Sequence, residues 1–98
     1  MSDLHRDLES RTRDYRIAFL RYLGRREESA LTAGYAWGRD SVSAQVSLLD
    51  VVQVHHAVLR EVLDTTSSRE VTGVVDAASA FLLEVIAPYD MARTPPQR

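Results

Sequence analysis

The stretch VSLLDVVQVHHAVLREVL, residues 46–63, decides the fold. Its apolar residues Leu48, Val51, Val52, Val58, Leu59 and Val62, with His55 among them, recur at spacings of three and four. Asp50, Gln53, Arg60, Glu61 and the following Asp64 take the opposite side. That period is helical, and the width of the stripe marks a central helix of a packed domain. Ser47 and Asp50 form an S-x-x-D signature, in which the serine oxygen accepts from the otherwise unpaired N–H groups of a first turn. The helix is predicted to start there and to end near Asp64.

The same period recurs on either side, and no two-residue alternation bounded by hairpin turns is present. Downstream, the polar run Thr65, Thr66, Ser67, Ser68 reads as a loop, and Ser67 with Glu70 repeats the capping pattern. Val71, Val74, Val75, Ala78, Phe81, Leu82, Val85 and Ile86 then give the core stripe of a fourth helix. Pro88, which has no N–H and crowds the carbonyl four residues back, is predicted to end or kink it, with one further turn over Tyr89 to Ala92. Upstream, a helix over about Glu27–Val42 carries Leu31, Gly34, Tyr35, Gly38 and Val42 on one face. Ala30, Gly34 and Gly38 recur every four residues. Small residues at that spacing let another helix approach closely, and packing must offset about 1 kcal/mol of lost propensity per glycine. Trp37 reads as core. The first helix runs from Ser2 or Asp3 to Leu23, with Leu4, Leu8, Tyr15, Phe19 and Tyr22 on its stripe and Gly24 placed to end it.

Four helices with short connections predict an all-α fold, a small antiparallel four-helix bundle, over residues 1–93. TPPQR, residues 94–98, reads as a tail or the start of a linker. Ile17 and Leu20 fall off the stripe of the first helix. With Gly34 and Gly38 they are the candidate seam of a homodimer.

Ninety-eight residues, 45% hydrophobic and with a net charge of −2, make one small domain with little stability to spare for an elaborate active site. The absence of cysteine excludes disulfides, thiolate metal ligands and a thiol nucleophile. Apolar runs fall short of the roughly 20 residues that cross a bilayer, and the start MSDLHRDLESR is polar rather than signal-like, so a cytoplasmic protein without membrane contact is expected. Residues 1–26 carry seven arginines against four acids, +3, and the remainder carries −5. Because those arginines alternate with acids and the isoelectric point is about 5.9, they read as a solvated helix face, and no nucleic-acid partner is expected.

Residues that could carry chemistry are few. His55 and His56 are adjacent, so on a helix they point about 100° apart and cannot share a metal as an i, i+4 pair can. His55 lies within the apolar stripe and reads as a core histidine with one satisfied ring nitrogen; the competing reading is a small-ligand or metal sensor using the bundle interior near it. No nucleophile elbow, phosphate loop, dinucleotide fingerprint, zinc helix or calcium loop is present, so neither catalysis nor a cofactor is expected. Leu83 is the odd residue. It falls on the face of the fourth helix that also holds Asp76, Ala80, Ala87 and Asp90, so it should be exposed, with small neighbours that leave an apolar strip where a partner can lie.

With the helices in place, VSLLDVVQVHHAVLREVL followed some twenty residues on by AFLLEVIAPYDMA resembles the N-terminal domain of RsbU-type serine phosphatases. The resemblance runs from about Arg13 to Ala92. It is most specific at Val54, His55 and Leu59, and at Phe81, Leu82, Glu84, Tyr89, Met91 and Ala92. It implies a four-helix bundle related in architecture to the C-terminal domain of the clock protein KaiA, and a homodimer. It further implies a non-catalytic regulator that binds the switch kinase RsbT in the bacterial general stress response and so activates a phosphatase domain. The implied partner surface joins the second helix to the exposed side of the fourth, which carries over to Glu28, Thr32, Ala80, Leu83 and Ala87. Thr32 departs from the pattern, standing where a larger aromatic can sit. Met1 reads as a natural start, and the chain stops where a linker to an output domain begins in the family.

Overall fold

The computed structural model describes residues 2–93, with side chains described over 7–92; the expected tail at 94–98 and the side chain of Leu4 lie outside the described residues. Four helices follow one another, α1 (Ser2–Arg25), α2 (Glu28–Ser43), α3 (Leu48–Leu63) and α4 (Val71–Arg93), with no strand among the described residues. The fold is an all-α four-helix bundle. α4 packs on the other three, α1 also meets α2 and α3, and α2 and α3 do not touch. In cross-section the order is therefore α1, α2, α4, α3, with α1 and α4 close across the short diagonal.

Phe81 of α4 is the hub of the core. It is fully buried and lies against three aromatic rings of α1: edge-on to Tyr15 at 5.2 Å between centroids, tilted to Phe19 at 5.5 Å and stacked with Tyr22 at 6.2 Å. Such pairs add about 0.5–1.5 kcal/mol each beyond the area they bury. Val51, Val54 and Val58 of α3, the last facing the core one turn above Val54, complete the cluster with Ala77, Ala78 and Val85 of α4. Among the described residues no buried side-chain nitrogen or oxygen lacks a hydrogen bond. Ser41, wholly buried, donates to the Trp37 carbonyl at 2.9 Å and accepts from Arg11 at 3.3 Å.

The start of α3 is as predicted: the Asp50 N–H donates to the Ser47 hydroxyl oxygen at 3.1 Å, and Asp64 follows the last helical residue. Two other boundaries differ. Gly24 is an ordinary helical residue, and the left-handed conformation after α1 falls to Arg26, at φ 58°. Long-range contacts compensate for that choice, since the Arg26 guanidinium lies over the Tyr22 ring at 5.8 Å and donates to the Gly73 carbonyl at 3.4 Å. The Ser67–Glu70 pair closes a turn ahead of α4, through Glu70 N–H to the Ser67 carbonyl at 2.9 Å, rather than capping the helix. At Pro88, of the two expected outcomes the helix does not take the ending, and the expected further turn over Tyr89–Ala92 is present. The helix forgoes one backbone bond and continues, and the turn beyond is held by Tyr89, whose hydroxyl donates to the Val46 carbonyl at 2.7 Å. Val71–Ala92 is long and apolar enough to cross a bilayer by length and composition alone, which corrects the reading that the apolar runs fall short of one. In the bundle, the same apolar character supplies the stripe on which the other helices pack.

Candidate partner-binding surface

The α2–α4 contact positions the surface. A Cβ added at Gly38 would overlap the backbone carbonyl of Val85, and one at Gly34 would stand 2.9 Å from the Phe81 ring. The close approach read from the spacing of Ala30, Gly34 and Gly38 is thus present, but within one chain. Both glycines are covered by α4, which leaves them nothing to offer a second copy, so their expected place in a dimer seam is corrected to this internal one.

This seam fixes which sides of the two helices face out together. On α2, Glu28 and Thr32 are exposed, the Thr32 hydroxyl donating to the Glu28 carbonyl one turn back at 3.1 Å. On α4, Leu83 is 65% exposed on the crest opposite the buried line of Val74, Ala78, Phe81 and Val85, while Ala80 and Ala87 are half-buried on its α2 side. Tyr35 and Met91 complete the surface. The Tyr35 hydroxyl reaches the Met91 sulfur at 3.9 Å from one helix to the other, and Met91 is itself largely exposed. Neither was placed in the partner surface from sequence, though Met91 continues the four-residue line of Leu83 and Ala87. The result is an apolar strip with a polar α2 border, suited to holding a partner by shape and burial rather than to chemistry.

Ile17 and Leu20 lie elsewhere, both exposed on the outer face of α1, with Ile17 beside Ala33, Ala36 and Trp37 of α2. Trp37 is half-buried. Its indole N–H donates to the Arg11 carbonyl at 3.0 Å, and it meets Tyr15 edge-on at 5.0 Å. Arg11 ties α1 to α2 through Asp40 at 3.0 Å and also reaches Asp7 at 3.2 Å. Burial works against its charge, but the bonds to Asp40 and Asp7 outweigh that and raise its pKa.

His55 is half-buried, with its Nδ1 2.7 Å from the Tyr15 hydroxyl. Burial raises the Tyr15 pKa, so the phenol keeps its proton and donates it. Burial first, and the neighbouring His56 second, lower the pKa of His55, so its ring is neutral with Nδ1 as acceptor. That nitrogen is taken by a core tyrosine, and among the described residues no three metal-ligating side chains come together. The sensor reading at His55 gains no support from this geometry, and the core histidine with one satisfied nitrogen is what the structure shows.

No curated protein and no solved structure matches this chain. The family model of the phosphoserine phosphatase RsbU N-terminal domain matches residues 13–92, which takes in the second half of α1, the whole of α2 and α3, and α4 into its last turn, and the chain belongs to that family.

Proposed function

We propose that the chain is a non-catalytic regulatory module which docks an RsbT-like switch kinase on the α2–α4 surface and thereby controls a phosphatase-type output in bacterial stress-response signalling, acting as a homodimer in the cytoplasm. Family membership supports the coarser part: this is an N-terminal regulatory domain of partner-switching phosphatase signalling, distinct from the phosphatase domain. The observation that carries the docking site is Leu83, a large aliphatic side chain turned away from the core and bordered by Ala80 and Ala87. A side chain of that kind gains most by entering a partner's pocket, where a few such anchors carry most of the binding energy. Thr32, small and polar, adds little of its own, so the anchor role shifts to Leu83 with Tyr35 and Met91.

Titration calorimetry of the purified module against a purified RsbT-type kinase from the same cells tests this. Leu83→Asp is expected to leave the circular dichroism and melting midpoint unchanged and to weaken binding by about 2 kcal/mol or more, roughly thirtyfold in Kd. Wild-type affinity in that variant would remove Leu83 from the site, and no binding by the wild type would remove the partner.

A further inference from the structure

The bond between Tyr15 and His55 joins α1 to α3, away from the partner surface. Tyr15 is 1% exposed, and among the described residues His55 is the hydrogen-bond partner of its hydroxyl. The His55 ring is only half-buried, so protons from solvent reach it. α1 is also tied to α3 by the Arg16 Nε, which donates to Glu61 at 2.8 Å, but both of those side chains reach solvent and a pair of that kind adds little. The α2–α4 seam is built differently. There Gly34 lies against the Phe81 ring and Gly38 against the Val85 backbone, with no titratable group at either contact.

Few charges bear on His55. On its own helix the exposed His56 is adjacent, and Asp50 and Arg60 stand five residues away on either side. α1 brings Tyr15, with Asp14 exposed beside Ile17 and Ala18, Arg16 committed to Glu61, and Arg11 one turn back committed to Asp40 and Asp7. Leu48 at the start of α3 lies beside Ile86 and Tyr89 late in α4, and residues 64–70 join the other ends of the two helices. The part of α4 level with His55 therefore falls within AASAFLL, residues 77–83, which holds no titratable group, Asp76 and Glu84 standing just beyond its ends. α2 does not pack on α3. No carboxylate thus favours a proton on His55 while the bond is made, and His56 works against one.

Neutral His55 accepts the phenol proton at Nδ1. Once the ring is protonated both of its nitrogens are donors, and an N–H is aimed at an O–H. The Tyr15 oxygen can accept that N–H, but its own proton is then left without an acceptor inside the core, and an unmatched buried donor costs more than the bond returns. We infer that the Tyr15–His55 bond is a proton-operated latch: a proton on His55 turns its ring out to water and frees the middle of α1 from α3, while the α2–α4 seam stays closed. Burial and His56 set its working range below the ordinary histidine value of 6.5. The Phe81 ring lies against both Tyr15 and Gly34, so the latch adjoins the seam that shapes the partner surface without being part of it.

Nuclear magnetic resonance of the whole chain between about pH 7.5 and 5 tests it. In the wild type, Overhauser contacts between the Tyr15 and His55 rings should be lost as His55 takes up its proton, while those between Phe81 and Gly34 persist. His55→Gln supplies an amide oxygen that accepts at any of these pH values, and its contacts with Tyr15 should hold throughout. Tyr15→Phe removes the donor and should raise the pH at which His55 titrates. Circular dichroism checks that both variants fold. Ring contacts that persist in the protonated wild type would overturn the latch, because the bond would then only have reversed its sense. It is equally overturned if the Tyr15–His55 and Phe81–Gly34 contacts vanish together, which is unfolding of the bundle, or if His55→Gln parts from Tyr15 over the same pH range as the wild type.

Discussion

At the scale of single residues, α2 ends in a Schellman arrangement built without glycine. The Gln45 N–H donates to the Val42 carbonyl and the Val46 N–H to the Ser41 carbonyl, each at 3.0 Å, which places Gln45 at φ 62°. A left-handed conformation costs a residue with a Cβ roughly 1–2 kcal/mol, and among the described residues the exposed Gln45 side chain makes no hydrogen bond to offset it. Gln45→Gly should raise stability by about 1 kcal/mol in urea or thermal denaturation; a loss instead would mean that the glutamine side chain stabilises the turn. Arg26 has the same backbone problem, but its contacts with Tyr22 and Gly73 make glycine there no gain. This contrast also shows what the sequence could tell. The Ser47 cap is local, three residues from its partner N–H, and could be read directly. The end of α1 depends on a carbonyl 47 positions away, so Gly24 was the natural and mistaken choice.

At the scale of elements, α2 and α4 approach to backbone contact at one point. Gly38→Ala sets a methyl group against the Val85 carbonyl, which cannot move without shifting the helix, whereas Gly34→Ala meets the edge of the Phe81 ring, which can tilt. Each change gains about 1 kcal/mol of helix propensity, and overpacking costs typically 1–3 kcal/mol. Gly38→Ala should therefore be net destabilising, by up to about 2 kcal/mol, and Gly34→Ala by clearly less. Equal midpoints in urea for both variants would show that α2 settles on α4 more loosely. The four-residue recurrence of small side chains made the approach legible, but not whose helix approaches, because that depends on the packing order of the bundle. The same limit hid the Tyr35–Met91 contact. Leu83 was different: its exposure follows from periodicity within a single helix.

For the whole molecule, pH dependence near neutrality is tied to one bond between α1 and α3. Burial and His56 lower the pKa of His55 from its ordinary 6.5, so below about pH 6.5 the unfolded chain binds more protons at this ring than the folded one. The stability that neutral His55 contributes is complete above that value and is lost as pH falls through it toward the lowered folded value. Melting midpoints should decline between about pH 7.5 and 5.5, before most carboxylates titrate, and His55→Phe should flatten the slope. An unchanged slope in the variant would assign the effect to other groups. Trp37 gives such experiments an optical readout. It is the only tryptophan in the chain, half-buried at the α1–α2 joint with its indole N–H on the Arg11 carbonyl and its ring nearly perpendicular to that of Tyr15. Intrinsic fluorescence of this protein therefore reports on one joint and not on the bundle as a whole: emission follows the parting of α1 from α2, while events confined to α3 and α4 pass without changing its colour.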